Sequence, residues 1–167
     1  FVEYVHVQIV SQTASSIHLL GVYIPPQVID NSILFDNLIV FIENFFDKYA
    51  PDVIIAGDIN INLSGEIHDW TYKAIKWNSI LEQHNCMQNI KATTRNQAST
   101  IIDHVITGKH AMNFGLVSKK TPFSDHNIIV NLMCLNKNKN DERHNNQLRK
   151  IAIPRRNYID MIAHLRL

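Results

Sequence analysis

Val53-Ile54-Ile55-Ala56-Gly57-Asp58-Ile59-Asn60 is an apolar run that ends abruptly on a carboxylate and an amide. Four apolar residues without alternation predict a short strand covered on both faces, and such strands belong to layered α/β structures. Gly57 permits a tight exit from a sheet. Asp58 and Asn60 are two apart in an extended segment, so both can reach one ligand. Gly-Asp and Asx residues also make ordinary turns, and this octapeptide alone leaves both readings open.

Further along, the same event recurs twice. Asp103 sits inside Ile101-Ile102-Asp103-His104-Val105-Ile106, and Ser124-Asp125-His126 opens onto Ile128-Ile129-Val130. A carboxylate at the edge of an apolar core is costly unless a metal, a cation or hydrogen-bond donors compensate it. Three such stations, with Asn60 and His126 beside them, predict one shared polar site. Adjacent Asp125 and His126 offer a metal ligand next to a group that titrates near neutrality. Asp103 is a candidate partner for the His126 ring; a capped turn with a half-exposed histidine is the plainer alternative.

The surrounding pattern supplies the layers. Tyr4, His6 and Gln8 alternate with Val5, Val7 and Ile9, the period of a half-buried strand. A polar turn over 11–16 leads to a second strand, Ile17 to Ile24, stopped by Pro25-Pro26 and close enough to pair as a hairpin. Leu34, Leu38, Phe41, Phe45 and Tyr49 recur at helical steps, with Asp30, Asn31 and Ser32 as candidate caps and Pro51 beyond. Trp70, Ala74, Trp77 and Leu81 mark a second helix. Strands are predicted at Met87–Lys91, Thr100–Thr107, Phe114–Ser118 and Asn127–Leu135. The alternation implies an α/β sheet structure.

With 167 residues, one domain is expected. No apolar run approaches the roughly 18 residues that span a bilayer, and no basic-then-apolar leader is visible, so an intracellular protein is expected. Phe1 enters directly on a strand pattern, as expected of a fragment. Cys86 and Cys134 lie far apart, against a zinc or disulfide framework and in keeping with packing residues. The net charge of +1 conceals an asymmetry: residues 1–135 carry 8 Lys/Arg against 12 Asp/Glu, and residues 136–167 carry 8 against 3. A basic tail suits a nucleic-acid partner or a solvated linker. Three parts are expected: a domain over 1–135, a flexible basic linker over 136–150, and a helical start over 151–167.

The stations in their order resemble the endonuclease/exonuclease/phosphatase superfamily, and within it the apurinic-like endonuclease domains of non-LTR (LINE-type) retrotransposons. The resemblance is carried by Leu20-Gly21-Val22-Tyr23-Ile24-Pro25-Pro26, Ile55-Ala56-Gly57-Asp58-Ile59-Asn60, Thr93-Thr94-Arg95, Ser99 through Thr107, and Phe123-Ser124-Asp125-His126. It covers residues 3–135 and implies the C-terminal portion of a DNase I-like two-sheet α/β sandwich, without its N-terminal half. The basic stretch from Arg149 to Leu165 is similar to the connector toward a reverse transcriptase.

By that resemblance, Tyr23 contacts the scissile phosphate and Asp58 aligns or deprotonates the attacking water, with Asn60 orienting it. Asp125 belongs to a metal site for Mg²⁺ or Mn²⁺. His126, paired with Asp103, stabilises the phosphate or moves a proton. Thr94 and Arg95 touch the nucleic-acid backbone, although Thr93 replaces the usual proline. The implied activity is metal-dependent nicking of target DNA, in the nucleus, by part of a retrotransposon polyprotein. The family's earlier Asn and metal-binding Glu stations have no counterpart in these residues, so this chain alone is expected to be inactive. A phosphatase of the same superfamily and a non-catalytic nucleic-acid-binding remnant are the alternatives.

Overall fold

The computed structural model describes residues 2–10, 16–95 and 98–135, with the backbone alone for 112–117 and 132–135. The polar turn, the basic linker, the helical connector and the Cys134 side chain therefore lie outside what is described.

The chain runs β1 (Glu3–Ile9), β2 (Ile17–Tyr23), α1 (Pro26–Asp30), α2 (Ser32–Tyr49), β3 (Val53–Asp58), a 3₁₀ turn (Ile67–Asp69), α3 (Tyr72–Gln83), β4 (Met87–Gln88), β5 (Asp103–Thr107), β6 (Ala111–Lys119) and β7 (Ile128–Leu135). Five strands form one sheet in the order β1-β2-β3-β5-β4, and β6 and β7 form a second. β1 and β2 are antiparallel, as the hairpin reading expects. β2 and β3 are parallel, joined by a crossover through α1 and α2.

Both helices cover one face of the larger sheet. Asn31 caps α2 by accepting the Leu34 N–H at 3.1 Å. Thr71 caps α3 through the Ala74 N–H. Phe35, Leu38, Ile42 and Phe46 of α2 and Trp77 and Leu81 of α3 pack with Leu20, Val22, Ile55 and Ile106 of the strands. Burying a side chain of this size contributes about 1.5–3 kcal/mol, so this layer dominates the stability. The opposite face receives the second sheet: Ala111 packs with Ile17 and Ile54, and Ile129 packs on Val105 and Ala56. The double burial expected of Val53–Ala56 follows from these two coverings.

The exposure of β1 and the bounds of β4, β5 and β6 differ from the sequence expectations, and Pro25-Pro26 has a further role. β1 is exposed along its whole length because it is an edge strand; only aromatic contacts such as Tyr4 with Phe41 reach α2. Pro25-Pro26 does more than end β2, since Pro26 opens the short helix α1 with its φ already set. The β5 ladder begins at Asp103, while Ile101 and Ile102 give their carbonyls to Leu63 and Ile59 of the loop after β3. β4 shrinks to two residues and β6 lengthens to nine.

Candidate active site

Strand register builds the site. Tyr23 lies opposite Asp58 on β3, and Asp58 lies opposite Asp103 on β5. Cross-strand partners share a face, so the three form a row across the sheet on the side covered by β6 and β7. Tyr23 is 41% exposed at the end of this row. The loop from β6 to β7 then brings His126 over it. The His126 Nδ1 lies 3.0 Å from both Asp103 carboxylate oxygens, and its Nε2 lies 3.9 Å from Asp58. Asp103 accepts the Nδ1–H, which leaves Nε2 facing Asp58 as the free ring nitrogen.

The next residue on β5 shows how strictly the pleat sorts function. His104 points to the helix face, is 1% exposed, and donates from Nε2 to the Ile61 carbonyl at 2.8 Å. Burial pushes its pKa down to about 4, so it stays neutral. Asp103 and His104 are neighbours in sequence but serve different compartments. Burial likewise pushes the Cys86 thiol up to about 11, consistent with an inert packing residue.

Asp58 has a raised pKa, first because it is partly buried and next because the Asp103 charge faces it; His126, the Asn60 N–H and Arg95 oppose the rise. Such a carboxylate holds its proton more tightly in the folded than in the unfolded chain. The stability it confers is therefore present at low pH and lost as pH rises through its folded value. Asp58→Asn is accordingly expected to raise the melting temperature near neutral pH. Thermal melts of both proteins should converge in acid; a neutral-pH loss in the variant would contradict the charge repulsion.

Asn60 adopts φ 55°, and its side-chain amide donates to the Ile24 carbonyl at 2.9 Å while its backbone N–H bonds Asp58. It ties the exit of β2 to the exit of β3. Asp125 stands apart from the row: Arg95 reaches it through Nε at 2.9 Å and through Nη2, and this contact holds its carboxyl below the usual range. The pair is roughly two-fifths exposed. Among the described residues, one ligand atom each from Asp58, Asp103 and His126 lie within 4.8 Å of one another and could hold a metal. Two carboxylates with remaining water positions fit a hard divalent cation, and the imidazole extends the fit toward manganese. Sequence reasoning assigned the metal to Asp125; that Asp58 and Asp103 also lie close enough to share an ion is visible only from the strand register.

Thr94 needs a correction as well. It is 0% exposed, and its hydroxyl accepts the N–H groups of Ile102 and Asp103 at 3.1 and 3.2 Å. A side chain so enclosed positions Asp103 and cannot reach a nucleic-acid backbone. Asn127 N–H bonds the Thr94 carbonyl and Arg95 bridges His126, so this segment fastens the His126 loop to the row. Thr94→Val is expected to cost ~1–3 kcal/mol by orphaning two buried N–H groups. Denaturant titration of the variant checks this, and an unchanged midpoint would mean that other acceptors replace the hydroxyl.

A mixed α/β fold with a five-stranded sheet and a second, two-stranded sheet matches the DNase I-like endonuclease fold. The profile of the endonuclease-reverse transcriptase family matches residues 17–130, and the chain belongs to that family. Among similar solved structures is the endonuclease domain of TRAS1, a telomere-specific non-LTR retrotransposon, at 18% identity and a TM-score of 0.58. The similarity covers 75% of this chain and 59% of that one, so the chain spans somewhat over half of the solved domain. The comparison with curated proteins finds no match.

Proposed function

We propose that this chain forms the catalytic end of a metal-dependent DNA endonuclease that nicks target DNA for a retroelement. The observation that carries the reading is the Tyr23–Asp58–Asp103 row closed by His126. Asp58, with its raised pKa, aligns the attacking water and takes its proton. Asn60 keeps the Asp58 loop in place and offers its amide oxygen to that water. Asp103 orients the His126 ring, so that Nε2, once it has taken a proton from solvent, faces the phosphate as a donor or passes that proton to the leaving oxygen. Tyr23 donates from the rim to a phosphate oxygen, and Arg95 supplies a cation beside it. A bound Mg²⁺ or Mn²⁺, held by Asp58 and Asp103, would neutralise charge on the phosphate. By the family resemblance, Asp125 would also serve that ion.

The family's own description supports a reverse transcriptase as the partner domain and DNA as the substrate. Alone, this chain is proposed to be inactive, because the metal group found among the described residues contains only two carboxylates. The test is nicking of supercoiled plasmid by the polypeptide that carries this chain. Nicking with Mg²⁺ that EDTA stops is the expected result. Hydrolysis of inositol phosphates with plasmid left intact would instead establish a phosphatase of the same superfamily. Plasmid binding without turnover under any divalent metal would favour a non-catalytic remnant.

A further inference from the structure

The loop that carries Asp125 and His126 has a second surface. It spans eight residues, 120–127, between β6 and β7. Its foot is fixed at the site by the Asp103–His126 contact, the Arg95–His126 bridge and the two Asn127 bonds to Thr93 and Thr94. Its tip presents Phe123, 96% exposed, the most exposed large apolar side chain among the described residues. Lys119 and Lys120 precede it and are both exposed. Residues 1–135 carry an excess of acid, so two adjacent lysines beside the site stand out.

We propose that this loop is a DNA-contacting platform on which Phe123 stacks against a nucleobase next to the scissile phosphate, while Lys119 and Lys120 hold the backbone. The inference rests on the endonuclease reading above and adds where the substrate's bases are met. Aromatic faces interleaved with cations are how nucleic acid is gripped without base-specific hydrogen bonds. The loop is also organised in advance. Pro122 fixes φ before the phenylalanine, the Phe123 N–H bonds the Thr121 hydroxyl at 3.2 Å, and the His126 N–H bonds the Ser124 hydroxyl at 3.0 Å. A pre-ordered tip loses little entropy on stacking. Phe123 lies three residues before His126, which keeps its backbone within roughly 11 Å of that residue and so near the reacting phosphodiester. A base that is already unpaired stacks most readily, because no duplex stacking must first be broken.

The test is equilibrium binding in EDTA, which prevents cleavage, of a duplex carrying a single unpaired 2-aminopurine. Fluorescence anisotropy reads affinity, and 2-aminopurine quenching reads stacking. Phe123→Ala is expected to weaken binding by ~10-fold or more and to abolish quenching, whereas Phe123→Trp keeps both. Lys119→Gln and Lys120→Gln should each lower the slope of log affinity against log salt by about 1, with quenching preserved. Phe123→Ala binding as tightly as the parent protein would overturn the platform and leave the endonuclease reading standing. Loss of quenching in Phe123→Trp would also overturn it, because an aromatic ring at this place would then not be what stacks. If the parent protein bound no DNA, both would fall.

Discussion

His126→Ala is expected to slow plasmid nicking by ~10²–10⁴-fold, the usual worth of a positioned acid–base group. Asp103→Asn should lose most of the same factor. The two side chains act as one unit: Asp103 accepts the Nδ1–H of His126 with its two oxygens, each 3.0 Å away, and so determines which nitrogen faces Asp58. An asparagine can present an N–H to Nδ1, which reverses the tautomer and turns Nε2 into a donor. The double variant should therefore be about as slow as the slower single one, because groups that work together lose activity non-additively. Nicking rates at saturating DNA, with ring-nitrogen NMR to read the tautomer, provide the check. Fully multiplicative losses would mean that the two residues act separately.

Gly57→Ala is expected to cost more than ~4 kcal/mol, enough to remove a cooperative unfolding transition from a marginal domain. Gly57 has φ +151°, and a Cβ there would stand 1.8 Å from the Val22 carbonyl oxygen and 2.8 Å from its carbon. Both are backbone atoms in the strand paired with Gly57, so neither can swing aside. The adjacent pair in the register is Tyr23 with Asp58, so the close approach of β2 and β3 also sets the spacing of the site. Gly21→Ala is the control. Its Cβ would meet the Val5 Cγ1 at 3.0 Å and the Val5 carbonyl oxygen at an ordinary 3.9 Å, both on an exposed strand that can shift. Circular dichroism with urea titration should separate the two variants clearly; equal stabilities would mean that β2 and β3 run farther apart.

Much of this was legible before any coordinates. The stripe of Leu34, Leu38, Phe41, Phe45 and Tyr49 identified α2 by its helical period, but the buried face is rotated toward Phe35, Ile42 and Phe46, and Leu34 is exposed. The run into Asp58 announced a covered strand ending in a polar site. The edges were less legible. β1 has the alternation of a half-buried strand yet is exposed, because alternation reports which residues share a face and not whether that face finds a partner. Thr94 and Arg95 are adjacent and polar, and nothing local separates the buried hydroxyl from the half-exposed guanidinium.

The sequence by itself determined the layered α/β class, the order of the three acidic stations, and the Asp103–His126 pairing as a candidate. Those are properties of local period and residue chemistry. The tertiary structure alone decided which carboxylates meet. Asp58 and Asp103 face each other because β3 and β5 pair in one register, and a slip of a single residue would turn Asp103 to the helix face and bring His104 into its place. Asp125, beside His126 in the chain, is instead neutralised by Arg95, thirty residues upstream. Charges compensate each other through space, and that distance is set by the fold.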